Sequence, residues 1–136
     1  MKNLKFALLF AFILSIGLGV SSCTKEEIET ETIRATLVLR PWTLTSDKLM
    51  AVEQLTEPCE KDDKWDFNSN GSFKISVNDA CGNEKDSAGI WSLSTDDGKN
   101  ILTIEGRKYE IEKCTATELI LRQGSENIDL RVLTFK

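Results

Sequence analysis

The chain has 136 residues and a formal net charge of −5. One domain is the expectation, and a nucleic-acid surface is excluded in outline, because phosphate binding needs clustered Lys and Arg. There is no histidine, so the commonest general base and metal ligand is missing and Ser-His or Cys-His nucleophiles are impossible; the expectation is a non-enzyme without cofactor or metal.

Lys2 and Lys5 give a positive start, and Phe6 to Val20 is an uncharged run. The run is shorter than the roughly 20 residues of a membrane span and fits the apolar core of a signal peptide, placed at residues 1–22. It closes on Val20-Ser21-Ser22-Cys23, which resembles a bacterial lipobox: an aliphatic residue, two small residues, then Cys. The resemblance implies that Cys23 is lipidated on its sulfur and becomes the first residue of the mature chain. The protein would then sit in the outer membrane, on the periplasmic face or the cell surface, held by more than one acyl chain.

Residues 23–36 carry Glu26, Glu27, Glu29 and Glu31 and, as aliphatic anchors, Ile28 and Ile33. Such a segment buries little apolar area against its ordering entropy. It reads as a flexible acidic tether, able to reach about 40 Å when extended. Lys25-Glu26-Glu27 resembles the surface-export signals of some Gram-negative lipoproteins.

The stretch 37–136 reads as an all-β domain. Turn signals recur at the spacing of sandwiches and barrels. Leu37, Val38 and Leu39 suggest a short helical plug, and Pro41 leads into a first strand at Trp42-Thr43-Leu44-Thr45. Seven further candidates follow, at 64–67, 72–77, 89–94, 100–106, 108–113, 118–123 and 128–135. Alternation marks one face in several of them: Phe73, Ile75 and Val77; Trp91 and Leu93; Leu102 and Ile104; Tyr109 and Ile111; Leu119 and Leu121. The opposite positions are polar, as in an antiparallel sheet wet on one side. Gly-containing links at 68–71, 96–99, 105–108 and 123–127 suit hairpins. Eight meandering strands close most simply into an up-and-down antiparallel barrel, which removes exposed edges.

The first Trp after a plug, then "WDFNSNGSF", "GIWSL", "ILTI", "YEI" and "ELIL", is similar to the bacterial lipocalin-like lipoproteins over about residues 37–135. The resemblance implies a barrel that binds an apolar or amphipathic small molecule. It also implies an Arg stacked on Trp42, for which Arg122 and Arg131 are candidates. Trp42, Trp65, Phe67, Phe73, Ile75, Trp91, Leu93, Tyr109, Ile111, Leu119 and Leu121 would line or fill the interior. The alternative is a packed barrel serving as an interaction module, an inhibitor or an accessory subunit at the cell envelope. Its functional loop would be 78–89.

In the hairpin over 65–75, Phe67 falls opposite Phe73 and Trp65 opposite Ile75. The same register, extended, brings Cys59 opposite Cys81, which predicts a disulfide clasp at the hairpin neck contributing about 3 kcal/mol in the chain-entropy model. A bridge involving Cys114 stays open, as does simple burial of that thiol. Asp66, Asn68, Asn70 and Gly71 imitate the start of a calcium loop, but Val77 stands where the closing Glu belongs. Asp62-Asp63 and Asp96-Asp97 read as solvated turn charges.

Overall fold

The computed structural model describes residues 25–55, 57, 61–77, 85–125 and 128–136. Cys23, Cys59 and Cys81 lie outside the described residues, and with them the lipid attachment and the proposed disulfide; so do positions 78–84 of the loop expected to be functional.

One helix, α1 (Lys25–Leu37), precedes nine strands: β1 (Trp42–Leu49), β2 (Val52–Glu53), β3 (Lys64–Phe67), β4 (Ser72–Ser76), β5 (Ser87–Asp96), β6 (Lys99–Ile104), β7 (Arg107–Cys114), β8 (Leu119–Ser125) and β9 (Ile128–Phe135). Each of β3 to β8 pairs antiparallel with the next. β1 pairs with β3 on one side and with β9 on the other. The eight long strands therefore close into the expected up-and-down barrel. β2 is a two-residue flap folded back on the end of β1.

The central hairpin has the register read from the sequence, with Trp65 opposite Ile75 and Phe67 opposite Phe73. Its turn is held by Asn68 N–H to Ser72 O and Gly71 N–H to Asn68 O. Gly71 takes φ of 85° there, a conformation that L side chains rarely adopt. Asn70 Oδ1 accepts from the Ser72 amide and hydroxyl, so the residues that imitate a calcium loop are engaged in their own turn.

The acidic segment departs from the expectation. Residues 25–37 form α1 rather than a flexible tether, and the plug is this whole helix rather than a turn at Leu37–Leu39. Thr30, Ile33, Arg34 and Leu37 follow helical spacing on one face. Leu37 is buried and Ile33 packs on the core. Thr30 Oγ1 lies within hydrogen-bond distance of Thr95 and Asn100, and Arg34 sits over the Trp91 ring at 5.4 Å. One stripe is enough because the barrel supplies the other half of the burial.

Three register shifts interrupt the wall, and two of them re-aim interior side chains. One falls between Leu44 and Ser46 on β1 against β9, the other between Ile111 and Lys113 on β7 against β8. Each adds a residue, so the inward positions shift parity. Trp42 and Leu44 face inward, and beyond the bulge so does Asp47, which is 5% exposed. In the same way the second bulge turns Cys114 toward the core.

Candidate functional site

The barrel has one filled end and one hollow end. At the filled end Leu37, Trp42, Phe67, Leu119, Leu121 and Phe135 are almost completely buried, each worth roughly 1.5–3 kcal/mol relative to exposure. The Trp42 indole N–H donates to Leu37 O at 3.0 Å, tying the helix end to the barrel floor. Phe67 packs edge-on against Trp91, with ring centroids 5.6 Å apart. The Trp91 N–H is shared between Asn68 O and Ser72 O.

A cation does cover Trp42, but neither of the expected ones. Arg40 lies over the ring at 4.6 Å. Arg122 is excluded by parity: Leu119 and Leu121 face inward, so Arg122 faces outward and pairs with Glu112 at 2.9 Å. Arg131 belongs to the opposite end of β9 and pairs with Asp47.

At the hollow end a cavity of about 400 Å³ opens at the mouth. Its depth is walled by Leu44, Trp65, Phe73, Ile75, Ile104, Tyr109 and Leu133; its rim is made by Ser87, Ala88, Glu105, Arg107 and Arg131. Trp65 stacks on Phe73, with centroids 5.7 Å apart and planes at 8°, and meets Phe135 edge-on at 5.4 Å. This aromatic group divides the hollow half from the filled half. Gly89 pairs with Phe73. A Cβ at Gly89 would come within 2.8 Å of the Phe73 ring and 2.0 Å of Glu105 Oε1, so the wall there depends on a missing side chain.

The polar groups of this end are strongly organised. Arg131 Nε and Nη2 donate to Asp47 Oδ1 and Oδ2 at 2.9 and 2.5 Å, a two-pronged pair inside the wall. Hydrogen bonding to Asp47 raises the Arg131 guanidinium above its ordinary range, and the Asp47 charge adds to it. Glu105 Oε1 accepts from the Ile90 amide at 2.6 Å. The Trp65 indole N–H is buried and has no hydrogen-bond partner.

A second, smaller hollow of about 320 Å³ lies between α1 and the end of β7, lined by residues including Ile33, Asn100, Ile111 and Cys114. Cys114 is a free thiol, and burial pushes it up to about 11, which makes it a poor nucleophile.

All eleven interior candidates are buried or packed against the core, but they serve different ends. Trp65, Phe73, Ile75 and Tyr109 line the cavity. Trp42, Phe67, Trp91, Leu93, Leu119 and Leu121 belong to the core outside it, and Ile111 borders the second hollow. The sequence reading left out Leu44, Leu102, Ile104, Leu133 and Phe135 from the interior, and Arg107 from the rim. Alternation could have found them: Leu44 follows Trp42 by two, Leu102 and Ile104 alternate, Arg131-Leu133-Phe135 is one face of β9, and Arg107 shares a face with Tyr109.

A family profile described as a lipocalin-like domain matches residues 40–121, which is more than half of the chain. The match runs from the Arg that covers Trp42 to the inward-facing Leu121. No curated protein and no solved structure gives a significant match.

Proposed function

The chain belongs to the lipocalin-like domain family, and from that premise we propose that it is a non-enzymatic binder of a small apolar or amphipathic molecule, held at the cell envelope by lipid on Cys23. The observation that carries the binding reading is the cavity of about 400 Å³, walled by apolar side chains with Ser87, Glu105, Arg107 and Arg131 at its mouth, which falls within the size range of small-molecule pockets. The anchoring reading rests on the Val20-Ser21-Ser22-Cys23 pattern behind an uncharged run. No helix among the described residues is long and apolar enough to cross a membrane. Since α1 packs against the end of the barrel opposite the mouth, an anchor ahead of it would leave the mouth turned toward water.

The test uses the full chain produced in a Gram-negative host and purified from its membranes. Solvent extraction and mass spectrometry should recover an apolar molecule in near-stoichiometric amount. Leu133→Trp, which fills the cavity, should abolish recovery while leaving the barrel folded. Equal recovery from both proteins would overturn the binding reading. Metabolic labelling with a fatty acid should mark the wild-type chain and leave Cys23→Ser unmarked; label on both would overturn the anchor.

One observation favours a second reading, an interaction module. The β1–β2 hairpin presents Leu49, Met50 and Val52 to solvent beside exposed Leu130, and Met50 N–H bonds to Leu130 O. An apolar tip of this kind suits a protein partner. Capture of a defined envelope protein that is lost on Met50→Asp, together with an empty cavity, would favour this reading over the first.

A further inference from the structure

Two hairpin turns among the described residues, Asp97-Gly98 and Glu105-Gly106, hold both central residues at positive φ. Each uses the usual chemistry for such a turn, a polar residue followed by Gly. A third turn, between β1 and β2, has the same kind of backbone and different residues, Met50 and Ala51, at φ of 49° and 68°. Neither residue relieves that conformation as Gly does. Met50 is 68% exposed, so packing within the barrel offsets little of the cost. Strain held where the fold gains nothing from it points to a surface with another use.

Around Met50 the rim is apolar, and its exposed cations lack partners. Leu49, Val52 and Leu130 are exposed beside it, and Met50 N–H bonds to Leu130 O. Leu49 stands opposite Arg131, which lines the cavity, so the tip belongs to the mouth end. Arg107 on the same rim, Lys108 after it and Lys48 behind the tip are all exposed. None of these three has an ion pair among the described residues. The nearby carboxylates are engaged: Asp47 by Arg131, Glu105 by the Ile90 amide, and Glu53 by the Ser46 hydroxyl and the amides of Asp47 and Leu55. The other end of the barrel differs, with Glu27, Glu29, Asp96 and Asp97 exposed on α1 and the β5–β6 turn.

We infer that the mouth end docks on an anionic lipid surface, with Met50 and its apolar neighbours among the acyl chains and Lys48, Arg107 and Lys108 against the headgroups. Four apolar side chains at a hairpin tip are far fewer than the roughly 20–30 residues a side of a stable protein interface. A lipid surface closes around such a tip and supplies the negative charge that the cations fit. Each Lys or Arg at such a surface strengthens binding about fivefold. The exposed acids of the opposite end are repelled by the same surface, so the charge pattern also sets the orientation. Docking goes beyond the binding reading and holds whether or not the cavity is occupied. With the proposed anchor ahead of α1, the docked surface is one that faces the anchored surface; that last step alone rests on the anchor reading.

The experiment places the full chain on phosphatidylcholine vesicles and adds a second population. This is either brominated phosphatidylcholine alone or an equal mixture of it with phosphatidylglycerol. Flotation before mixing reports separately whether the chain is anchored. Bromine on the acyl chains quenches only tryptophan that reaches them. The reporter is Met50→Trp, with the parent chain as blank and Ser94→Trp, exposed toward the far end of β5, as the control for orientation. The expected result is quenching of Met50→Trp by the mixed vesicles, with an affinity about tenfold or more above that for brominated phosphatidylcholine alone, and little quenching of Ser94→Trp. Adding Lys48→Gln, Arg107→Gln and Lys108→Gln to the reporter should weaken the affinity about a hundredfold, and added salt should act in the same direction. Equal affinity for the two second populations, or equal quenching of the two reporters, would overturn the inference. Absence of quenching would overturn it as well and leave the tip to a protein partner. A Met50→Trp emission that shifts to the blue with protein concentration before the second vesicles are added would assign the tip to another copy of this chain, and would overturn it too.

Discussion

The two ends of this barrel are built from the same kinds of residue and do different things with them. At the filled end Trp42 is fully buried, its N–H is satisfied by Leu37 O, and Arg40 covers its ring. At the hollow end Trp65 is half-buried, its N–H is unsatisfied, and it borders the cavity. Close packing gives the first end its stability. The second end gives up part of it. Binding surfaces are drawn from such regions, because a ligand can contribute only what the protein has left undone.

The contrast can be broken by truncation. Trp42→Ala should cost about 3–5 kcal/mol in chemical denaturation, the range for deleting a buried aromatic. Trp65→Ala should cost less than half as much, since its site already borders a cavity. Equal losses would mean that the two ends do not differ in packing. The interior ion pair sharpens the point. Arg131→Met alone should destabilise by about 3–5 kcal/mol, because it leaves Asp47 buried without a partner. The double change Asp47→Leu with Arg131→Met should return to within about 1 kcal/mol of the parent. A double variant as weak as the single one would show that the pair is not the reason.

Cys114 probes the wall near the filled end. With its thiol raised to about 11, alkylation by iodoacetamide at pH 8 should be roughly a hundredfold slower than for the unfolded chain, as read by peptide mapping. At the hairpin tip, Met50 and Ala51 hold φ of 49° and 68°. Ala51→Gly should stabilise by about 1 kcal/mol; a loss instead would mean that the methyl group is in use. The smallest effect is expected at Glu53. Its carboxyl is held below the ordinary glutamate range, first by the Ser46 hydroxyl and then by the amides of Asp47 and Leu55. A lowered folded value contributes stability that is complete above the unfolded value and is lost as pH falls through the folded one. Glu53→Gln should flatten the stability profile at acid pH and change it little at neutrality.

The barrel was legible because its signals are local. Alternation in 72–77 and 119–121 and the Asn-Gly turn at 70–71 each need only a few residues, and they fixed the central hairpin to the residue. What was not legible depends on partners far away in the chain. α1 has too few apolar residues to hold itself and becomes a helix against Thr95, Asn100 and Trp91. β1 was read only to Thr45, because the bulge interrupts alternation where the strand continues. The same interruption concealed Asp47 as an interior group. The resemblance directed the search for the Trp42 cation to Arg122 and Arg131, on β8 and β9. Arg40 was adjacent in sequence, in a segment that carried no pattern.

The bulge on β1 has a consequence for insertions and deletions. In a barrel wall the loss of one residue normally turns every later side chain to the other surface. Thr45 is the residue left without a partner, between Leu44 opposite Phe135 and Ser46 opposite Thr134. Excising it would join those two pairs into an unbroken ladder and leave Asp47 opposite Leu133, still facing Arg131. The same excision at Thr103, in the regular part of β6, would turn Leu102 or Ile104 outward. Chain length in this wall is thus negotiable by one residue at position 45, and a shortened relative could keep the whole interior unchanged.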